Sequence, residues 1–380
     1  MDFASKPPSS PFTPRLPHPP LPPLTTTNTL GILSSHLLPS LAVHTTLSLA
    51  AYSAGRFTNR LDAKDLLWPS AFVVNAWYHG VVSPYMVGRA KGGVWECIRD
   101  MGYAQRLLLG GVTVWGIRLF DKVFWRIKGR CGDDGRYQRY RDEVRKRKEG
   151  ELLDTVEKGE LAAATEEQKG VDDGEVEREM WNKAFLGIFL PEAVVQSFVS
   201  LGWTAVRYSG PINAVGTLDE RWRKMVHGIA VAMFTAGLAL EAIADSQLQR
   251  GRRRREEGGL VRDGVWSIVR HPNYLGDFLV HLSFPLMALA DGVFNPAMFL
   301  GPVCNYVFLR FVAGDKENDR YQMDKYARES PSKYEELLEW KAQKNSFWPG
   351  WREVANGWTW AVVGIGAVAA GAEWAATRYL

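Results

Sequence analysis

Arg270-His271-Pro272-Asn273-Tyr274-Leu275-Gly276-Asp277 opens a stretch that continues to Ala290 with His281 as its one further ionisable residue. Proline at the first position of a helix costs little, because its missing N–H would have had no partner there. The sequence therefore predicts a helix starting at Pro272. At about 1.5 Å per residue, the apolar run over 274–290 is of the length that crosses most of a hydrocarbon core about 30 Å thick. Arg270, Tyr274, Asp277 and His281 follow one another at i, i+4, i+7 and i+11, which draws a single polar stripe down that helix. Ionisable groups in such a segment face a cavity or a partner side chain, not lipid, so Asp277 and His281 are candidate site residues. The structural alternative is that Asp277 complements the helix N-terminus and pairs with Arg270. The helix start also presents backbone N–H groups and a positive dipole end, which with Arg270 would make a seat for a phosphate.

Similar apolar runs lie at 30–54, 67–88, 105–121, 184–206, 225–244, 293–313 and 358–376. The mean hydropathy of -0.18 conceals them, because it averages these runs with strongly charged segments between them. The 15 tryptophans and 13 tyrosines, several at the ends of the runs, suit side chains that favour the boundary between lipid and water. The fold class expected is an all-α, polytopic transmembrane bundle of seven or eight spans. Arg118 inside the third run and the Gly- and Ala-rich composition of the last make those two the weakest signals.

Five segments follow from this reading: a Pro-rich, disordered N-terminus at 1–29, membrane helices over 30–121, and a charged cytosolic insertion at 122–183. A C-terminal membrane domain carrying the site spans 184–350, and a last helix, a possible further span, occupies 351–380. Lys and Arg concentrate on the loops of one side, including Arg252 to Arg255, which the positive-inside rule places in the cytosol.

Other polar residues in the runs add candidates. Glu241 and Asp245 share a helix face and suit the hydroxyls of a ribose, or pairing with nearby arginines. Arg118 shares a face with Trp115, near a cytosolic end where it can also snorkel. Glu192 lies mid-run, one turn from Gln196, and would meet either substrate or a neighbouring helix. Asn75 and His79 form a similar pair. The cysteines at 97, 131 and 304 have neither disulfide nor zinc spacing, His227 and His271 are too isolated to suggest a metal site, and a net charge of +4 does not suggest nucleic acid. Gly364-Ile365-Gly366 lies within an apolar helix without the strand that a Rossmann turn requires, so any dinucleotide would be held by helices and loops.

The chain resembles the membrane-reductase superfamily of steroid 5-alpha-reductases, especially the uncharacterised branch sharing their C-terminal domain. The likeness covers roughly 105–350, through Trp115 to Leu119 with Arg136-Tyr137, Glu241 to Gln247, Gly264 to Ser267, Arg270 to Asp277, Tyr326 and Phe347-Trp348-Pro349. The segment Arg270 to Asp277 also resembles the signature of sterol C14 and C7 reductases. The resemblance implies an NADPH pocket at Arg270, His271, Asn273, Tyr274 and Asp277, with Asp245 and Glu241 on ribose and Arg118 a further cofactor contact. It implies reduction of a carbon-carbon double bond in a steroid, sterol or other lipid-like substrate. Tyr274, Asp277 or Glu192 would be the catalytic groups, in the endoplasmic reticulum membrane with the cofactor side cytosolic. Methyltransferases of the isoprenylcysteine and phospholipid types, which use S-adenosylmethionine, share an Arg-His-Pro-x-Tyr-x-Gly segment. In those enzymes a Glu-Glu pair follows it, where this chain has Gly314-Asp315-Lys316-Glu317-Asn318-Asp319. A non-catalytic lipid-binding protein is the third reading.

Overall fold

The computed structural model describes residues 31, 33–87, 93–157, 172–204, 219–254, 259–292 and 296–379. The expected disordered segment at 1–29, residues 158–171 of the insertion and the end of the Arg252 to Arg255 run lie outside them. Among the described residues every regular element is helical. The principal helices are α1 (Leu38–Thr58), α2 (Lys64–Trp77), α3 (Tyr103–Lys128), α4 (Gly135–Glu157), α5 (Asp173–Ala184) and α6 (Leu190–Val199). They continue with α7 (Glu220–Arg254), α8 (Pro272–Ala290), α9 (Leu300–Val307), α10 (Asp315–Glu329), α11 (Pro331–Gln343) and α12 (Gly357–Tyr379).

Among the described residues, four helical stretches are long and apolar enough to cross a membrane: Asp173–Thr204, Glu220–Gly251, Pro296–Glu329 and Gly357–Arg378. That is fewer than the seven or eight spans expected. The runs at 30–54, 67–88, 105–121 and 274–290 do not qualify, and the described residues show what dilutes most of them. His36, Ser40, His44 and Ser48 recur at every fourth residue and are all buried, as are Asn75 and His79. Helix α8 carries Asp277 and His281, also buried. Each of these lowers mean hydropathy while facing inward, where lipid is not its solvent. Helix α12, one of the two weakest signals in the sequence, shows the opposite pattern, with Trp360, Val363, Val368 and Trp374 exposed.

The chain divides into two compact units. One comprises residues up to Leu38, Ala76–Val112 and Phe198–Leu380; the other comprises Pro39–Asn75 and Thr113–Ser197. In the first unit α7 and α8 pack along each other, and they can do so because glycines meet at the crossing. A Cβ placed on Gly276 would fall 2.6 Å from the Gly237 carbonyl oxygen, and one on Gly237 would fall 2.7 Å from that of Gly276. Small residues at a crossing let two backbones touch, the geometry that dispersion rewards when lipid supplies no hydrophobic drive. Gly366 on α12 lies against α7 in the same way, 2.5 Å from the Ala232 oxygen by the same measure. The Gly- and Ala-rich composition thus serves packing. Around the α7–α8 pair, Leu240, Trp266, Leu275, Phe278, Trp340 and Phe347 form one buried cluster.

In the second unit, Tyr137 and Val144 of α4 pack with Val176, Met180 and Trp181 of α5 in another core. Ion pairs run alongside, including Arg145–Asp173 at 2.8 Å, Arg141–Glu177 at 3.0 Å and Lys148–Glu175 at 2.9 Å. Where it is described, the charged insertion at 122–183 thus carries a packed helical pair. Its apolar residues are too few to stand out against so much charge, but they fall on facing stripes.

Candidate functional site

The turn ahead of α8 is fixed from α7. Gly264 adopts φ +68, and a Cβ there would collide with the Gln247 side chain, 2.2 Å from its Nε2. Gln247 Oε1 accepts from the Val265 amide at 3.0 Å, and the Trp266 indole donates to the Ala244 carbonyl at 3.0 Å. Glycine is thus required by backbone conformation and by close approach together. After this turn the Arg270 and His271 amides donate to the carbonyls of Asn345 (3.0 Å) and Ser346 (2.9 Å), and Pro272 starts the helix as expected. The Tyr274 amide returns to the His271 carbonyl at 3.1 Å. Much of the backbone donor capacity foreseen for a phosphate is therefore spent within the protein.

The side chains at the helix head form an ion-pair lattice. Arg270 Nη1 donates to both carboxylate oxygens of Asp319, at 2.7 and 2.8 Å, and Arg270 Nε reaches the Lys344 carbonyl at 3.3 Å. His271 Nε2 lies 3.0 Å from Asp315 and 3.4 Å from Asp319. Arg310 closes on Asp315 at 2.6 Å and Lys341 on Asp319 at 3.0 Å. His271, Asp315 and Asp319 offer ligand atoms within 4.8 Å of one another. Arg270, Arg310 and Lys341 already occupy those carboxylates, so a divalent ion would have to displace three cations; the donor set fits an ion-pair lattice better than a metal cage.

Burial opposes the charged form of His271, but hydrogen bonds and attraction from Asp315 and Asp319 outweigh it and hold its pKa above the ordinary 6.5. A raised folded-state pKa stabilises the protein fully below the unfolded value, and that contribution fades as pH rises through the folded one. Wild type is thus expected to lose more melting temperature than His271→Gln between pH 6 and pH 9. Parallel pH profiles of the two proteins would remove the imidazolium from the lattice.

Further along α8, the Tyr274 ring stacks on His271 (centroids 5.3 Å apart) and its hydroxyl accepts from Asn318. Asp277 accepts from Asn305 at 2.9 Å and lies 3.0 Å from His281 Nδ1. Asp277, His281 and Asn305 are 5%, 1% and 0% exposed, a buried polar cluster in an otherwise apolar helix environment. Trp203 stands over His281 with centroids 5.9 Å apart. The structural alternative for Asp277, a pair with Arg270, is not what forms: Asp319 takes the arginine and Asn305 with His281 takes Asp277.

The first unit thus brings Arg270, His271, Tyr274 and Asp277 together along one helix. Glu241 lies opposite on α7, where a Cβ on Gly276 would come 3.0 Å from the Glu241 Cβ. Asp245 follows one turn on, half-buried. Asn273 is half-buried at the helix head, and its Oδ1 is buried without a donor among the described residues. Glu192 and Arg118 belong to the second unit, where Glu192 pairs with Lys64 at 3.1 Å. That ion pair supplies the interhelical partner which was the structural alternative for Glu192. Asn305, Asp315, Asn318, Asp319 and Lys341 were not foreseen. Their one sequence signal is the polar cluster Asp315, Asn318, Asp319 at helical spacing where the apolar run stops.

A family model described as "Protein of unknown function (DUF1295)" matches residues 51–155 and 171–338. Over 84 residues the chain is 31% identical to the Delta(14)-sterol reductase of Arabidopsis thaliana, which covers 22% of this chain and 21% of that protein. The chain therefore spans about a fifth of that relative's length. No solved structure matches it.

Proposed function

We propose, from the premise that the chain belongs to the DUF1295 family, that it is a membrane reductase which saturates a carbon-carbon double bond in a lipid-like substrate with NADPH. The observation that carries this reading is α8 itself. A helix headed by Arg270 and His271 bears Tyr274, Asp277 and His281 on inward positions, each engaged with polar partners in an apolar unit. An apolar scaffold alone does not need such a stripe, and its maintenance costs desolvation free energy. Similarity to a protein named as a sterol reductase supports the same class.

The residues present fit a dinucleotide. Arg270 keeps Nη2 without a hydrogen bond among the described residues, since Nη1 and Nε hold Asp319 and Lys344. The buried Asn273 Oδ1 has no donor among the described residues, and an amide or hydroxyl could provide one. Arg270 and His271 would hold phosphate, Asn273 a polar group beside it, and Glu241 or Asp245 ribose hydroxyls. When bound, NADPH supplies the hydride for one carbon of the double bond. The protein's part is to orient the two reactants, exclude water and deliver a proton to the other carbon, for which Tyr274 and the Asp277–His281 pair are the groups at hand. The endoplasmic reticulum, with the cofactor side cytosolic, is the location that goes with this reading.

Thermal melting of the detergent-purified full chain with NADPH and with S-adenosylmethionine tests it. A ligand that binds only the folded state at a hundred times its Kd adds about 2.7 kcal/mol, enough to raise Tm by several degrees. NADPH is expected to do so. Stabilisation by S-adenosylmethionine alone would mean a methyltransferase, and stabilisation by neither would mean a protein that does not use these cofactors.

A further inference from the structure

A pocket enclosing about 420 Å³, part of it open to solvent, lies in the first unit among the described residues. Its walls are largely apolar, with Met101 and Gly80 among them, and its polar groups are His79, Gln105, Trp203 and Thr204. Thr204 is 1% exposed, and its hydroxyl has no hydrogen-bond partner among the described residues. Elsewhere in this chain helical hydroxyls donate to the carbonyl four residues back: Thr46 to Ala42 at 2.8 Å, Ser197 to Ala193 at 2.7 Å and Thr235 to Val231 at 2.8 Å. Thr204 uses its amide that way, donating to Ser200 at 3.0 Å, but not its hydroxyl. A buried hydroxyl held off its local acceptor has been left for something else.

Gln105 adds a donor. Its Oε1 accepts from the Gly102 amide at 3.2 Å, while its Nε2 makes no hydrogen bond among the described residues. The indole of Trp203 forms part of the pocket wall and also packs on His281 (5.9 Å) and Phe284 (5.5 Å) of α8. The pocket is thus one ring away from the Asp277–His281–Asn305 cluster.

We propose that this pocket receives the oxygen-bearing end of an apolar molecule, a lipid alcohol or ketone, with Thr204 and Gln105 as its hydrogen-bonding partners and the apolar walls around its hydrocarbon. Taking that molecule to be the substrate rests on the reductase reading; the pocket's chemistry does not. A site built to hydrogen-bond an oxygen discriminates against the analogue that lacks it, because its own polar groups are then left buried and unpaired.

The test uses the full chain in detergent without NADPH, so that failure here and failure of the reductase reading are separate results. Tritiated cholesterol and tritiated geranylgeraniol are each competed with the unlabelled alcohol and with the corresponding hydrocarbon lacking the hydroxyl. At least one alcohol is expected to compete about ten-fold better than its hydrocarbon. Thr204→Val, which keeps the shape and removes the hydroxyl, is expected to abolish that preference. Gly80→Leu, filling a wall where a Cβ would sit 3.4 Å from Met101 Cε, is expected to abolish binding of both. Absence of any preference for the alcohol, or a preference that survives Thr204→Val, overturns the proposal. Should Gly80→Leu fail to fold, the isosteric variant decides alone.

Discussion

Asp277→Asn is expected to lower turnover by about 100-fold or more while leaving the fold in place. The substitution keeps the volume and a side-chain oxygen that can still accept from Asn305, the 2.9 Å bond, so the packing of α8 on its neighbours has no reason to change. What it removes is the negative charge beside His281 Nδ1 at 3.0 Å, inside a cluster that is at most 5% exposed. His281 Nδ1 also lies 3.0 Å from the Asp277 backbone carbonyl, which the variant keeps, so the substitution separates loss of the carboxylate from loss of the ring's orientation. Rates measured as NADPH oxidation with a lipid enone, next to a thermal melt, separate the effects. A normal rate would take Asp277 out of the chemistry, and a lost rate with a collapsed melt would make it structural.

The second large effect falls on stability. Asp319→Ala is expected to cost about 3–5 kcal/mol, the range for removing one partner of a buried ion pair. Asp319 answers Arg270 through two hydrogen bonds, Lys341 at 3.0 Å and His271 at 3.4 Å. The Arg270 side chain is 8% exposed, so deleting the carboxylate leaves its charge where water can hardly reach it. Replacing both members with apolar residues, as in Arg270→Met with Asp319→Leu, is expected to recover much of the loss, because no buried charge is then left alone. Equal melting temperatures for wild type and Asp319→Ala would show that the lattice contributes nothing to stability.

The same lattice shows why part of the site was legible in the sequence and part was not. Pro272 and the polar stripe are local features: helix start, spacing and the cost of a charge in an apolar segment depend on residues within a few turns. All three were readable, and the helix does begin at Pro272. The partners are not local. Asp319 lies 49 residues from Arg270 and Asn305 lies 28 from Asp277, separations at which spacing carries no information about contact. Arg270 was therefore read as facing a phosphate without sight of Asp319 and Lys344, which take its Nη1 and Nε donors.

The two span counts, seven or eight from the apolar runs and four from length and mean hydropathy, differ for a related reason. A hydropathy window sums side chains without knowing which way they point, so a helix with His36, Ser40, His44 and Ser48 on a buried face scores as too polar. The glycines behaved differently. The Gly- and Ala-rich composition of α12 is plain in the sequence, and the crossing at Ala232 is where Gly366 uses it, but the matching contact of Gly237 with Gly276 needed the fold to pair them.

By itself, the sequence determined that this chain is helical and built for a membrane, and that its most unusual polar residues head and line α8. Those follow from periodicity, run length and proline geometry, which act over one to a few turns. Only the tertiary structure decided what those residues meet: Asp319 for Arg270, Asn305 and His281 for Asp277, and Lys64 for Glu192. A buried charge must find a counterpart, and which one it finds depends on helix crossings that glycine-sized contacts permit, a property of packed surfaces that no single segment carries.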